Sequence, residues 1–379
     1  MENNKQNKPN WKGTFATLIF SILIFIFVTC LLASCTKDED RQEIVDKVLL
    51  VYLGGDNNLS GESYSKLQAI TRGYDTNPNA RILVYHDSQG GSPRLIEINN
   101  KNKATILEMY DNENSADPAV FTRVITKIKE LYPQAAYNLL IFSHASGWTP
   151  KGSYSDPSLR SIMIDGKDEM ELSDFASAIP NNMFEYIIFE ACYMAGIEVA
   201  YQLKDKSKYI VASSAEIVSP GFTEIYEKHI NELVYGNPLA FMRETFRYFD
   251  DWGGYMRSAT LSVIKTEKLD ALADFVKSNC DLKIEVYPEE IQHFDRNTSH
   301  LFYDFGDYYT KLITEDLRLE LQQLITDCVI WKASTPYFME GYNGFAINEH
   351  SGLTVYIKQN RYPKLNESYS KLDWDKAIR

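Results

Sequence analysis

Residues 137–148 read YNLLIFSHASGW, and residues 185–194 read EYIIFEACYM. Each opens on a continuous apolar run, the pattern of a strand covered on both faces rather than one. Working outward, similar runs recur at Lys47–Leu53, Arg81–His86 and Lys208–Ser213. Amphipathic stretches separate them: Leu59–Arg72, Pro118–Leu131, Leu172–Ala178 and Met194–Leu203. Strand and helix alternating in this way predict right-handed crossovers and an α/β fold, a mainly parallel sheet flanked by helices. Pro93–Ile98 and Ala104–Met109 fit a hairpin beside that sheet, and Ser258–Lys265 and Leu353–Ile357 fit later strands. Pro220–Leu233, Pro238–Tyr248, Glu267–Asn279, Leu301–Leu312 and Glu315–Lys332 read as helices, so a helical C-terminal portion is expected.

In an open parallel sheet, ligands bind beyond the carboxyl ends of the strands. The two quoted strands would deliver His144 and Cys192 to the same edge. Only a thiolate is a good nucleophile, and a neighbouring imidazole or a helix N-terminus makes it available near neutral pH. A helix starting at about Met194 would supply the second. The His precedes the Cys by about fifty residues, the order and spacing seen in caspases. A buried Cys is usually a small core residue and a strand-end His usually a satisfied polar group. Their joint placement is what points to catalysis.

Asp56-Asn57-Asn58, just before the helix at Leu59, reads as turn and N-cap chemistry. His86, His229, His293, His300 and His350 have no zinc-site spacing, so no metal site is expected. Past the N-terminal segment only Cys192, Cys280 and Cys328 remain, an odd number that makes no disulfide framework. The net charge of −13 excludes a nucleic-acid binder, which needs a basic footprint. With 44% hydrophobic and 24% charged residues, the chain is long enough and apolar enough for one large folded domain.

Lys5, Lys8 and Lys12 precede an apolar run from Phe15 to Leu32, the layout of a secretory signal. The run ends Leu32-Ala33-Ser34-Cys35, which resembles the lipobox of bacterial lipoproteins. Residues 1–34 are therefore read as a signal peptide, Cys35 as the lipidation site, and residues 35–44 as a tether. The alternative is an uncleaved transmembrane anchor, since the run is long enough to span a bilayer. Both place the rest of the chain outside the cytoplasm, and the lipoprotein reading anchors it to a bacterial membrane, at the outer membrane or cell surface.

Three segments, Tyr52–Leu59 (YLGGDNNL), His144–Trp148 (HASGW) and Phe189–Met194 (FEACYM), resemble the marker segments of the clostripain family in their order and spacing. Gly196–Tyr201 and Tyr209–Ser214 resemble its next helix and strand, so the likeness covers residues 45–360, with 361–379 left as a tail. The resemblance implies a caspase-like fold and a cysteine endopeptidase that cleaves after Arg or Lys through a Cys–His dyad. It assigns His144 and Cys192 to catalysis and the backbone N–H groups of Ala145 and Cys192 to the oxyanion. Glu190, helped by Glu216, would meet the basic P1 side chain. The expected partner is a peptide or protein substrate, and the protein itself is expected to be a monomer. No cofactor is required; calcium is left open, because some members respond to it. Family members often cleave themselves between the His and Cys segments, where Thr149–Asp168 offers Lys151, Arg160 and Lys167. Two departures stand out: Ala145 replaces the family's usual glycine, and Glu190 its usual aspartate. They favour the rival reading, a non-catalytic surface lipoprotein that keeps the fold and binds peptides or glycans. The residue-level alternative for Glu190 is a strand-end carboxylate capping the next helix.

Overall fold

Alternation within the apolar runs decides the layering. In β1 (Lys47–Gly55), Val48, Leu50 and Tyr52 belong to one buried cluster, and Leu49, Val51 and Leu53 to a second. Successive side chains leave a strand on opposite faces, so a strand with core on both faces has no place for polar alternation. The computed structural model describes residues 45–379 apart from Thr76, Lys101, residues 152–160 and residues 297–299. The expected signal peptide, Cys35 and the tether lie outside the described residues. Among those described, no helix is long and apolar enough to cross a membrane.

After β1 come β2 (Ala80–Ser88), β3 (Arg94–Asn100), β4 (Lys103–Met109), β5 (Ala136–Phe142), β6 (Phe184–Glu190), β7 (Ser207–Ser213), β8 (Thr260–Lys265) and β9 (Val329–Ser334). They form one sheet in the order β9-β8-β7-β6-β5-β1-β2-β3-β4. The five strands from β7 to β2 run parallel. The β3–β4 hairpin closes one edge and β8 and β9 the other, all antiparallel.

Helices cover both faces: α1 (Ser60–Gly73), α2 (Pro118–Leu131), α3 (Leu172–Ala178), α4 (Ile197–Gln202), α5 (Thr223–Val234), α6 (Pro238–Asp250) and α7 (Leu269–Asn279). Helices α2, α3, α4 and α7 bury their apolar residues in the cluster of Val48 and Leu50, and α1, α5 and α6 in that of Leu49 and Val51. Helix α2 starts where its sequence dictates. The Asp117 carboxylate accepts the Ala119 N–H at 2.8 Å, and Pro118 takes the first helical position, where a missing N–H costs nothing.

The second half departs from expectation in four places. The helix predicted through Lys332 ends at Cys328, and Val329–Ser334 instead pairs antiparallel with β8. Periodicity in a short apolar run does not separate helix from strand, and here an open sheet edge decides. The predicted helix from Leu301 is confined to Phe305–Thr310, with the Asp304 carboxylate accepting the Asp307 N–H as its cap. Of Leu353–Ile357, only Thr354 and Val355 pair, with Tyr303 and Asp304. Residues 361–379 are no loose tail. They carry helices Pro363–Tyr369 and Asp373–Ala377, whose Leu365, Tyr369 and Trp374 are buried in the same cluster as Val48. Val45–Arg379 thus make one compact unit.

Candidate active site

Parallel pairing sets the register at the sheet's carboxyl edge: Leu53 lies beside Phe142, and Phe142 beside Glu190. His144 and Cys192 each follow two residues later on adjacent strands. Both line one cavity of about 700 Å³, together with Asn58, Ala145 and Glu216.

His144 Nε2 lies 2.7 Å from Asn58 Oδ1. An amide oxygen only accepts, so this contact keeps the proton on Nε2 and makes Nδ1 the basic nitrogen. By sequence the whole Asp56–Asn58 segment reads as turn and N-cap chemistry. Asn57 does that work: its Oδ1 accepts the Leu59 N–H at 2.8 Å and its amide donates to Ile164 O at 3.0 Å. Asn58, one residue on, is left to face the imidazole. Only the β1–β5 pairing brings the two together, so no local signal could have named it.

Cys192 keeps part of its surface open to the cavity. Burial pushes its thiol up to about 12; the Ile217 N–H directed at it opposes this, Glu216 adds to it and Arg296 opposes it. The helix expected to begin at about Met194 starts only at Ile197 and runs six residues. The intervening residues turn back to the sheet, with Tyr193 N–H on Ala215 O and Ala195 N–H on Ser213 O, both at 3.0 Å. The expected activation of the thiol by a helix N-terminus is therefore corrected.

Tyr193 has φ of +61°, a conformation that costs a bulky residue and that clusters at functional sites. Its ring stacks on Phe302 at 4.4 Å between centroids. Gly147 sits against this turn with φ of +60°, and a Cβ there would lie 2.8 Å from Tyr193 O. Glycine is required where the two site loops touch. Ala145, by contrast, is not among the residues of positive φ, so alanine there needs no strained backbone. Among the described residues the Ala145 and Cys192 N–H groups have no internal acceptor, whereas those of Ser146 and Tyr193 do. Two N–H groups without internal partners on the wall of one cavity can receive an oxyanion.

The two acidic residues expected at P1 differ in fate. Glu190 is 2% exposed and does not line the cavity. Its Oε1 accepts from Lys66 Nζ at 2.7 Å and from the Phe222 N–H, and its Oε2 from the Tyr226 hydroxyl. Burial raises its pKa while Lys66, the Phe222 N–H and the Tyr226 hydroxyl oppose the rise. The assignment of Glu190 to the P1 pocket is corrected: every oxygen is committed inside the protein. The alternative that it caps the following helix is not seen either, because Gly196 caps α4 with no side-chain bond. Glu216 does reach the cavity, where Arg296 grips it with Nε and Nη2 at 2.6 and 2.9 Å.

Of the self-cleavage candidates, Lys151 and Lys167 are exposed, while Arg160 lies outside the described residues. Lys167 sits in the turn of a short hairpin, Met163–Asp165 paired with Asp168–Met170, rather than in an open loop. Gly166 of that turn lines the cavity and donates its N–H to Asp56 O at 2.8 Å.

A mainly parallel α/β sheet that brings a thiol and an imidazole to one edge is the architecture of a caspase-like cysteine peptidase. The chain belongs to the clostripain family, whose profile matches residues 51–356, and it is a cysteine-type peptidase. No curated protein matches it. Among solved structures it is similar to an inactive zymogen of a C11 protease from Parabacteroides distasonis, with 31% identity, 88% of this chain and 98% of that chain covered, and a TM-score of 0.78. A secreted C11 cysteine protease from Bacteroides thetaiotaomicron, in complex with an irreversible peptide inhibitor, gives 25% identity, 88% and 99% coverage, and a TM-score of 0.76.

Proposed function

We propose that this peptidase cleaves after basic residues through a Cys192–His144 dyad oriented by Asn58, with Glu216 as the P1 carboxylate. The observation that carries the proposal is one cavity lined by Asn58, His144, Ala145, Cys192 and Glu216. With its proton held on Nε2, His144 uses Nδ1 to draw the proton from the Cys192 thiol as the sulfur attacks the scissile carbonyl. The N–H groups of Ala145 and Cys192 receive the developing oxyanion. His144 then protonates the leaving amine, and water, deprotonated by His144, releases the acyl group. None of these steps requires a cofactor.

Glu216 in this arrangement is held by an internal guanidinium, so a P1 Arg or Lys must compete with Arg296 for it. Profiling with a fluorogenic peptide library tests the whole reading. Wild type should cleave after Arg and Lys, and Cys192→Ala should not cleave at all. Glu216→Gln should lose at least tenfold on basic substrates and little on others, whereas Arg296→Ala should lower KM for them. Basic selectivity untouched by Glu216→Gln would remove the pocket assignment while leaving the dyad standing.

The N-terminal lipobox-like sequence and the secreted relative support an extracytoplasmic, lipid-anchored protein, and that relative's peptide inhibitor supports a peptide or protein substrate. Mass spectrometry of the mature N-terminus tests this: an acylated Cys35 is expected, and an intact Met1 on membrane-bound protein refutes it. Self-processing at Lys151, Arg160 or Lys167 would split wild type and leave Cys192→Ala whole on incubation.

A further inference from the structure

Two aromatic side chains stand open to solvent at the catalytic edge and take no part in the mechanism above. Tyr342 is 64% exposed and Tyr255 50%, with ring centroids 6.0 Å apart and planes tilted by 41°. Their place follows from the sheet. Strand β8 runs antiparallel to β7, with Leu261 beside Ser213, and β9 antiparallel to β8, with Ser334 beside Thr260. The segments before β8 and after β9 therefore emerge at the edge where the parallel strands deliver His144, Cys192 and Glu216. Tyr255 lies in the first segment and Tyr342 in the second.

The backbone that presents Tyr342 is firmly held. Tyr337-Phe338 pairs with Phe345-Ala346 as a short hairpin, and the Phe338 and Phe345 rings stack at 5.4 Å. The Met339 N–H donates to Ser258 Oγ at 2.7 Å, which ties the hairpin to the segment carrying Tyr255. Met339 and Asn343 have φ of +48° and +52°, strain of the kind that persists where a functional loop is fixed by its surroundings. Arg296 makes the connection to the cavity. It grips Glu216, its Nη1 donates to Tyr342 O at 3.5 Å, and its carbonyl accepts from Asn343 Nδ2 at 3.4 Å.

We propose that Tyr342 and Tyr255 form a subsite for an aromatic or large apolar side chain two or three residues before P1′, at P2 or P3 of the substrate. The direction comes from the chemistry. His144 protonates the leaving amine, so the chain after the scissile bond lies on the side of β5, which carries His144. The acyl half lies on the other side of Cys192, over the ends of β7, β8 and β9. P1 meets Glu216 there first, and the preceding residues of an extended peptide, about 3.3 Å each, reach the tyrosines beyond Arg296. Two exposed rings so close together offer a third ring or a branched aliphatic group the edge and face contacts that aromatic side chains favour. The assignment rests on the proposed dyad and on Glu216 at P1.

The test uses full-length protein and a positional library with Arg or Lys fixed at P1. Aromatic, Leu or Ile side chains at P2 or P3 should raise kcat/KM about tenfold over alanine, the scale of one well-packed tyrosine contact. Tyr342→Ala should remove that preference while leaving the all-alanine substrate within about twofold, and Tyr342→Phe should keep it. The preferred and alanine peptides, labelled and titrated into Cys192→Ala by fluorescence anisotropy, should differ about tenfold in Kd, and adding Tyr342→Ala should make them equal. Equal binding of the two peptides, or none, overturns the subsite, as does a preference that survives Tyr342→Ala. A preference confined to positions after the scissile bond overturns the direction. A dimer that Tyr342→Ala dissolves, with the peptide profile unchanged, would give the patch to a second copy and overturn the proposal. The anisotropy needs no cleavage, so a wild type that fails to cleave sinks the dyad while binding still decides the subsite.

Discussion

Replacing Glu190 with glutamine separates two roles that sequence reading had merged. If Glu190 met the P1 side chain, the variant would lose basic substrates and keep its stability. The structure demands the reverse. Lys66 is fully enclosed, and Glu190 at 2.7 Å is its nearest counter-charge; Glu62 stands further off at 3.8 Å, and Thr223 Oγ1, Pro220 O and the Phe142 ring assist. Breaking a buried pair costs about 3–5 kcal/mol because one charge is left uncompensated. Glutamine still offers an oxygen to Lys66 and to the Phe222 N–H, which puts Glu190→Gln at the lower end, about 3 kcal/mol. For a domain of this size that lowers Tm by roughly 4 °C. Adding Lys66→Met removes the stranded ammonium, so the double variant should be more stable than Glu190→Gln alone. Urea unfolding gives the stabilities, and kcat/KM per folded molecule on Arg, Lys and neutral P1 peptides gives the selectivity. An unchanged Tm with a hundredfold loss confined to basic substrates would refute the reasoning and return Glu190 to the pocket.

Other outcomes follow from the same geometry. Asn58→Ala frees the imidazole to rotate and to change tautomer, so kcat should fall roughly 10–100-fold with KM within about threefold; a change in KM alone would argue against an orienting role. With its thiol near 12, Cys192 stays protonated at neutral pH, so alkylation of the free enzyme by iodoacetamide should climb about tenfold per pH unit from pH 7 to 9. A plateau by pH 7 would mean a preformed thiolate. Glu198 is buried, accepts the Tyr356 N–H at 2.8 Å, and is raised by burial from 4.5 to about 7. A raised folded-state value favours the protonated acid, so its contribution is full below pH 4.5 and falls away as pH rises through 7, by about 3 kcal/mol. Glu198→Gln should match wild type near pH 5 and exceed it in stability at pH 8; parallel stability curves would contradict this.

What could be read from the chain alone were features set by local chemistry. Apolar runs give the five parallel strands because a doubly covered strand needs a hydrophobic residue at every position. Pro118 after Asp117 marks the start of α2 because cap and proline act within one turn. The delivery of His144 and Cys192 to one edge followed from strand direction, which the crossovers impose. Where a short run was ambiguous, as at Val329–Ser334, the open edge of β8 chose strand, and that edge is a property of the assembled sheet. The partners of charged and polar groups were equally out of reach. Glu190 stands two residues from Cys192 in sequence, yet it ends β6 on the face that carries Tyr186 and Ile188, and its carboxylate meets Lys66 of α1 and Tyr226 of α5 rather than the cavity. Asn58 reaches His144, and Arg296 reaches Glu216, across 86 and 80 residues of chain. Local patterns record which face of an element is apolar; which donor meets which acceptor depends on how those faces are stacked, and only the folded chain carries that information.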